Sequence, residues 1–280
     1  MMNRTPRRWL TALTSVAALS LVLSGCASVG DSAEPDAPEE DAAGQEEQDQ
    51  PDQADQDDAA QDGDDDGDLG AVPSAATEHG GFVLSSPTEL EPGTAPDEVD
   101  LEDLPSSEEP GVPSGLRPPE EGEPLHVVIY SDPSCPHCAD FEEEYGDFLE
   151  DELDEGTITV EYRTMTFVDE QNSPEASNAF SCMAEESPED YLPYLNEVTQ
   201  SFGEGLSPED LAEIAADDYG ADISNCIEDG TYLDFAEYTT EVAGEDQIPG
   251  TPTVYAGEEE WDGTEDFDEW AEEQLAEHAD

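Results

Sequence analysis

One junction constrains this chain more than anything else in it. The run "PLHVVIY" (124–130) is continuously apolar and rich in β-branched residues, so it reads as a buried strand. It runs straight into "SDPSCPHCADF" (131–141). Beyond that, Cys138, Phe141, Tyr145, Phe148, Leu149 and Leu153 recur at helical spacing, with acids between them that would face water, until Gly156 stops the pattern. Two cysteines two residues apart, Cys135 and Cys138, therefore sit where a buried strand turns into a helix.

Such a pair can be half a zinc site, a structural staple or a redox-active dithiol. A structural zinc site commonly uses two close pairs of ligands. There is no second Cys-x-x-Cys here, Cys182 and Cys226 lie 44 positions apart, and His79, His126 and His278 are scattered. No metal is expected. A disulfide closing so small a loop restrains the unfolded chain little, which weakens the staple reading. The redox reading fits the local physics. A helix start presents unpaired N–H groups and partial positive charge, both of which stabilise a thiolate, the attacking species. Pro136 suits the first helical position because it has no N–H to leave unpaired. His137 can add a donor or a positive charge near the sulfur. Cys138, one turn inward, would be the more buried partner that closes or resolves the disulfide.

Charge and the N-terminus set the compartment. The formal net charge is −72, from 77 acids and 5 basic residues, and there is no lysine. Nucleic acid is excluded as a partner, since binding phosphates needs clustered positive charge. Arg4, Arg7 and Arg8 precede an apolar run, "LTALTSVAALSLVL", that is too short for a comfortable membrane span. "LSGC" (23–26) then matches a lipobox, which makes residues 1–25 a lipoprotein signal peptide and Cys26 the lipidated first residue. Acylation of Cys26 would anchor the protein on the extracytoplasmic face of the cell membrane. The other reading is an ordinary signal peptide with Cys26 a bystander. In either case the protein is exported, disulfides can persist, and an even count of four remaining cysteines suggests two pairs.

Residues 26–78 are expected to be a disordered, extended tether. Residues 27–78 contain no aromatic residue and no positive charge, and 31–70 hold 18 acids. Within it, "DGDDDGDL" spaces Asp62, Asp64, Asp66 and Gly67 like a calcium loop, but the twelfth position is Pro73 and no flanking helices are evident, so chance explains it in an aspartate-rich tract. The folded domain is expected over 79–280. "GGFVLSS" (80–86) reads as a strand and 87–124 as a proline- and acid-rich irregular insertion. His126 reads as a packed strand residue. "TITVEYRTMTF" (157–167) alternates as a strand, and a helical block fills about 170–245. In that block "SPED" occurs at 187–190 and 207–210, each a helix-capping signal. "GTPTVYAG" (250–257) and "EEEWDG" suggest a hairpin. "TEDFDEWAEEQLAEHA" (264–279) reads as a final amphipathic helix with Phe267, Trp270 and Leu275 inward.

"CPHC" after a strand, a helical block and a later "GTPTV" together resemble the DsbA-like thiol-disulfide oxidoreductases of the thioredoxin superfamily, over residues 79–280. The resemblance implies an α/β, thioredoxin-like fold with an inserted helical domain. It implies that Pro252 is in the cis form facing the dithiol and that Thr251 offers backbone groups to a substrate segment. A structural disulfide between Cys182 and Cys226, as in exported actinobacterial-type relatives, is implied too, against the alternative of two free buried thiols. The chain departs from the family pattern in its long 87–124 insertion. It also has no lysine to complete the buried acid–lysine pair that some members keep beneath the dithiol.

The function so implied is an extracytoplasmic enzyme, without a bound cofactor, that oxidises cysteines of exported proteins. A quinone-linked membrane thiol oxidant would renew its disulfide. The alternatives are a reductase or isomerase on the same fold, or a non-catalytic acidic binding lipoprotein. Pro-His between the cysteines argues for the oxidising end of the family's range. The acids Asp132, Asp140, Glu142, Glu143 and Glu144 argue against it, since they disfavour a thiolate. So large a charge implies a halophile-like surface that needs counter-ions, as in a Gram-positive, actinobacterial-type halophile. In molar salt the Debye length is about 3 Å, so distant carboxylates are silenced while groups touching the sulfur are not.

Overall fold

The computed structural model of the protein describes residues 70–278, apart from 97, 98, 100, 102, 103, 108–111, 202 and 204. The signal segment, Cys26 and the tether up to residue 69 lie outside the described residues. Six strands form one sheet in the order β2-β1-β4-β3-β5-β6. Strand β1 (Gly81–Ser86) pairs antiparallel with β2 (Glu89–Leu90) and with β4 (Ile158–Thr164). At the centre, β3 (Leu125–Ser131) and β4 run parallel, and helix α1 (Pro136–Glu155) connects them. Strand β5 (Thr253–Ala256) runs antiparallel to β3 and turns back into the short β6 (Glu259–Glu260).

Between β4 and β5 the chain is helical: α2 (Asn172–Glu186), a 3-10 turn (Pro188–Asp190), α3 (Tyr191–Gln200), α4 (Pro208–Asp218), α5 (Ser224–Glu228) and α6 (Leu233–Glu245). Helix α7 (Phe267–His278) closes the fold, with Phe267 and Trp270 buried and Leu275 partly so. Among the described residues no helix is long and apolar enough to cross a membrane.

Local signals mostly act where they stand. Gly156 caps α1 in the left-handed conformation (φ 69°), where glycine carries no Cβ penalty, and its N–H reaches back to Leu153. At the second "SPED", Ser207 and Asp210 close a full capping box on α4. The first "SPED" also opens a helical turn, with Ser187 at the N-cap, Pro188 first and two acids after it, but Ser187 makes no side-chain cap. The Ser187 N–H is already spent on Met183 at the end of α2, and the segment becomes the 3-10 turn leading into α3. Cys182 on α2 is disulfide-bonded to Cys226 on α5 (S–S 1.99 Å). By loop entropy, closing a ring of that length stabilises by roughly 4 kcal/mol.

Two features differ from the sequence reading. First, packing begins before residue 79. Ala76 is fully buried and bridges to Phe82, and the Thr77 hydroxyl donates to Glu161 at 2.6 Å. Second, β4, which alternates in sequence, is covered on both faces, as the continuously apolar β3 is expected to be. One face, carrying Val127, Ile129, Ile158, Val160 and Tyr162, belongs to the main apolar core. The other carries a charged cluster. In the parallel register, His126 pairs with Thr159, Val128 with Glu161 and Tyr130 with Arg163. Arg163, with no exposed surface, donates to Glu161 (2.9 Å), to the Tyr130 hydroxyl (2.7 Å) and to the Ser114 carbonyl (2.7 Å). Ser114 in turn donates from its N–H and hydroxyl to Asp246 at the end of α6. The irregular 112–116 segment is thus clamped to the sheet. Burial alone would raise the Glu161 carboxyl, but the Arg163 guanidinium and the His126 ring hold it well below the usual carboxylate range. Removing one partner of such a pair leaves a bare buried charge. Arg163→Met should therefore lower the unfolding free energy by about 3–5 kcal/mol, read from chemical denaturation in molar salt.

Glu142 has the opposite fate. It is expected to face water with the other acids of α1, yet it stands four residues after Cys138 and three before Tyr145, on the inward face of the helix, and is 5% exposed. The Tyr162 hydroxyl donates to one oxygen at 3.2 Å, and the other has no partner. No cation is near, so burial pushes its carboxyl up to about 8. A carboxyl raised in the fold is neutral there but ionises in the unfolded chain from about pH 4.5. Its contribution therefore turns against folding as pH rises between those two values, by roughly 3 kcal/mol at pH 7. Glu142→Gln should flatten the fall in the denaturation midpoint between pH 5 and pH 8. An unchanged pH slope would place the ionised carboxylate in the fold.

Candidate active site

The cysteine pair sits at the carboxyl end of β3, at the mouth of α1. Cys135 is the N-cap residue, in extended geometry (φ −87°, ψ 118°), and Pro136 opens the helix. The N–H groups of Cys138 and Ala139 bond to the Cys135 carbonyl at 3.1 and 3.2 Å. Both cysteines are free thiols and both are buried, Cys135 at 5% exposure and Cys138 at 1%. The Thr251–Pro252 peptide bond is cis, and the Cys135 Sγ lies 3.4 Å from the Thr251 carbonyl oxygen, to which the thiol donates.

The two sulfurs are driven apart in acidity. The largest influence on Cys135 is the Cys138 thiol, which donates to it. Burial works against ionisation, and the N–H groups of Cys138 and His137 favour it. The result is a thiol brought down to about 5. Cys138 moves the other way, because donating to Cys135 and being buried both hold its proton. One sulfur is the readily ionised member of the pair and its neighbour is a protonated reserve.

His137 acts differently from expectation. Its ring is exposed and lies 4.0 Å from Asp140, so what reaches the sulfur is its backbone N–H. The acids also sort themselves. Asp140, Glu143 and Glu144 face water, whereas Glu142 and Asp132 are buried.

Asp132 is the residue the sequence reading undervalued, counting it only as one more negative charge. It has no exposed surface. One carboxylate oxygen accepts from the Ser134 N–H (2.9 Å) and the Ser173 hydroxyl (2.7 Å), and the other from the Val168 N–H (2.9 Å). Its carbonyl accepts from the Cys135 N–H at 2.9 Å. One side chain thus ties together the cysteine loop, the β4–α2 loop and the first turn of α2. Burial raises its carboxyl, these three donors oppose that, and the charge on Cys135 raises it further. The signal was present in "DPS", since an aspartate two residues before a free N–H favours a local turn of this kind.

Among the described residues no group of three or more His, Cys, Asp or Glu is arranged to hold a metal ion. Thr251, Pro252, Cys135 and Cys138 come together. The Cys182–Cys226 bond belongs to the helical block, and Cys26 is outside the described residues.

A family model described as Thioredoxin matches residues 120–273, more than half of the chain. No curated protein sequence matches significantly. Among solved structures the chain is similar to MdbA, a thiol-disulfide oxidoreductase from Actinomyces oris, at 18% identity over 70% of this chain and 86% of that one, with a TM-score of 0.52. It is also similar to MdbA, a thiol-disulfide oxidoreductase from Corynebacterium diphtheriae, at 19% identity, 74% and 96% coverage and a TM-score of 0.51. BdbD from Bacillus subtilis, in its oxidised form, gives 18%, 60%, 98% and 0.50. At these identities the likeness is one of fold.

The balance of forces on Cys135 can be tested directly. Cys138→Ala removes the leading donor, so the Cys135 thiol should rise from about 5 towards 9, whereas Cys138→Ser keeps a donor and should stay lower. Thiolate ultraviolet absorbance against pH measures both. A Cys138→Ala protein still titrating near 5 would assign the effect to the helix start instead.

Proposed function

The chain belongs to the thioredoxin family, and from that premise we propose that it is an extracytoplasmic thiol-disulfide oxidoreductase that oxidises cysteines of exported proteins through Cys135 and Cys138. The observation that carries this reading is the split in acidity between two adjacent sulfurs, one of them against the Thr251 carbonyl.

The chemistry starts from the Cys135–Cys138 disulfide. A client thiolate attacks Cys135 Sγ. A client–Cys135 bond forms, the Cys135–Cys138 bond breaks, and its electron pair leaves on Cys138 Sγ, which takes up a proton. A second client thiolate then attacks the client sulfur, and Cys135 departs as a thiolate. The client has lost two electrons and the dithiol has gained them. A thiol at about 5 is a good leaving group and stabilises the reduced state. A depressed pKa contributes fully above the unfolded value and is lost as pH falls through the folded one. At pH 7 this amounts to roughly 3 kcal/mol in favour of the reduced protein, hence of oxidising the client. A quinone-linked thiol oxidant in the membrane would take the electrons onward, close at hand if Cys26 carries lipid. The Cys182–Cys226 disulfide supports an oxidising compartment.

The test is oxidative refolding of a reduced, disulfide-containing client by the oxidised protein in molar salt. We expect one client disulfide per protein molecule and none with Cys135→Ser. Client oxidation by Cys135→Ser at the unaltered rate would overturn the reading and favour a binding role.

A further inference from the structure

We propose that the irregular segment 112–119 is a strap that holds the cis Thr251–Pro252 loop in place from the second face of the sheet, with Ser114 and Asp246 as positioning residues for client capture at Cys135. This deepens the oxidoreductase reading and rests on it. The segment belongs to the long 87–124 insertion in which the chain departs from the family pattern. It lies over the sheet face opposite the main core, where Ser114 is 3% exposed.

The strap meets the frame of the cis loop at three places. At the start of the loop, Ser114 donates from its N–H (2.8 Å) and its hydroxyl (2.7 Å) to the two carboxylate oxygens of Asp246, the residue that ends α6. The Ser114 carbonyl accepts from Arg163 at 2.7 Å, so one strap residue ties Asp246 to β4. Next, Leu116 from the strap and Ile248 from the loop pack on the same small cluster, formed by Val128, Tyr130, Met165, Ala243 and Tyr255. Beyond the loop, Gly257 follows β5 with φ 62°. A Cβ there would stand 3.0 Å from Pro119 and 3.4 Å from the Arg117 carbonyl oxygen, so the strap crosses the hairpin turn in close contact. The loop needs such a frame. Among the described residues, Gln247 is the one non-glycine residue with a left-handed φ (60°), and it directly follows Asp246. A residue keeps that conformation only where its surroundings fix it. At the other end, Thr253 pairs with Tyr130 of β3, and its hydroxyl donates to the Gly250 carbonyl at 2.8 Å. Pairing in the sheet thus fixes the exit of the loop, and the strap fixes its entry. Between them the Thr251 carbonyl faces the Cys135 thiol at 3.4 Å. The family resemblance gives the Thr251 backbone to the client segment. A loop placed in advance does not charge that encounter with the entropy of ordering it. A small dithiol has no chain to lay along Thr251, so the strap should matter to clients and not to such a reductant.

The test uses the oxidised full-length chain in molar salt. It compares the second-order rate at which a reduced peptide with two cysteines is oxidised with the rate of the same reaction for dithiothreitol. Asp246→Ala takes away both acceptors of Ser114, so the peptide should react about tenfold to a hundredfold more slowly while the dithiothreitol rate is unchanged. Asp246→Asn keeps an oxygen for the Ser114 N–H and should recover most of the peptide rate. Leu116→Ala leaves the carboxylate alone and loosens the strap's apolar hold. It should slow the peptide in the same selective way, and it carries the test if Asp246→Ala does not fold. A peptide-to-dithiothreitol ratio unchanged in every folded variant would make the strap a stabilising cover alone and overturn the assignment. An equal fall with both reductants would locate the damage at the dithiol and overturn it as well. No reaction of the unaltered chain with dithiothreitol or peptide would overturn the oxidoreductase reading itself.

Discussion

A negatively charged sulfur in a protein of net charge −72 has to be held by groups that touch it. Long-range fields here oppose any added anion, and salt removes them without replacing them with attraction. Cys135 meets that requirement through contacts alone: the Cys138 thiol and the N–H groups of His137 and Cys138. Each contact depends on a different part of the chain. The helix start supplies the N–H groups, the turn after β3 aims the sulfur, and the cis Thr251–Pro252 segment before β5 brings up the facing wall. The sheet order that sets β5 beside β3 is therefore a condition of the chemistry.

The same scarcity of cations explains how the buried acids are arranged. Arg163 is spent on Glu161, so that carboxylate stays ionised inside the fold. Glu142 has no cation and stays neutral at a cost that grows with pH. Asp132 is satisfied by two backbone N–H groups and a hydroxyl. These are three solutions to one problem, namely how to bury a carboxyl in a chain with no lysine. Only the third serves the active site, because hydrogen bonds from three separate segments can fix loops against one another where an ion pair within a single strand cannot.

The sequence made the strand–cysteine–helix junction legible because each signal there is local: the apolar run of β3, proline at the first turn, the 3.6-residue period of α1 and its glycine stop. The α4 capping box was legible for the same reason. Burial of charge was not. A glutamate among apolar residues invites a solvated reading by its chemistry, although the spacing of Glu142 to Cys138, Tyr145 and Leu149 puts it on the inward face, where Tyr162 meets it. Glu161 and Arg163 look like the wet side of an alternating strand until the 112–116 segment and the end of α6 are seen to cover them. Likewise Ala76 and Thr77 read as tether because packing against β1 and β4 leaves no mark on their own composition. The first "SPED" opens only a 3-10 turn, since the end of α2 claims the Ser187 N–H.

The helical block now has a physical reason to be rigid. Its first helix contributes Ser173 to the Asp132 network, while the disulfide fastens the same helix at Cys182 to α5. Movement of α2 relative to the sheet would shift Ser173 and Val168 together and release the loop that carries Cys135. The crosslink lies on the far end of α2 from the dithiol, so it steadies the site without offering a second redox pair beside it. Fold stability and the placement of the reactive sulfur are thus linked through one buried carboxylate, and the helical block acts as part of the catalytic frame rather than as an appendage to it.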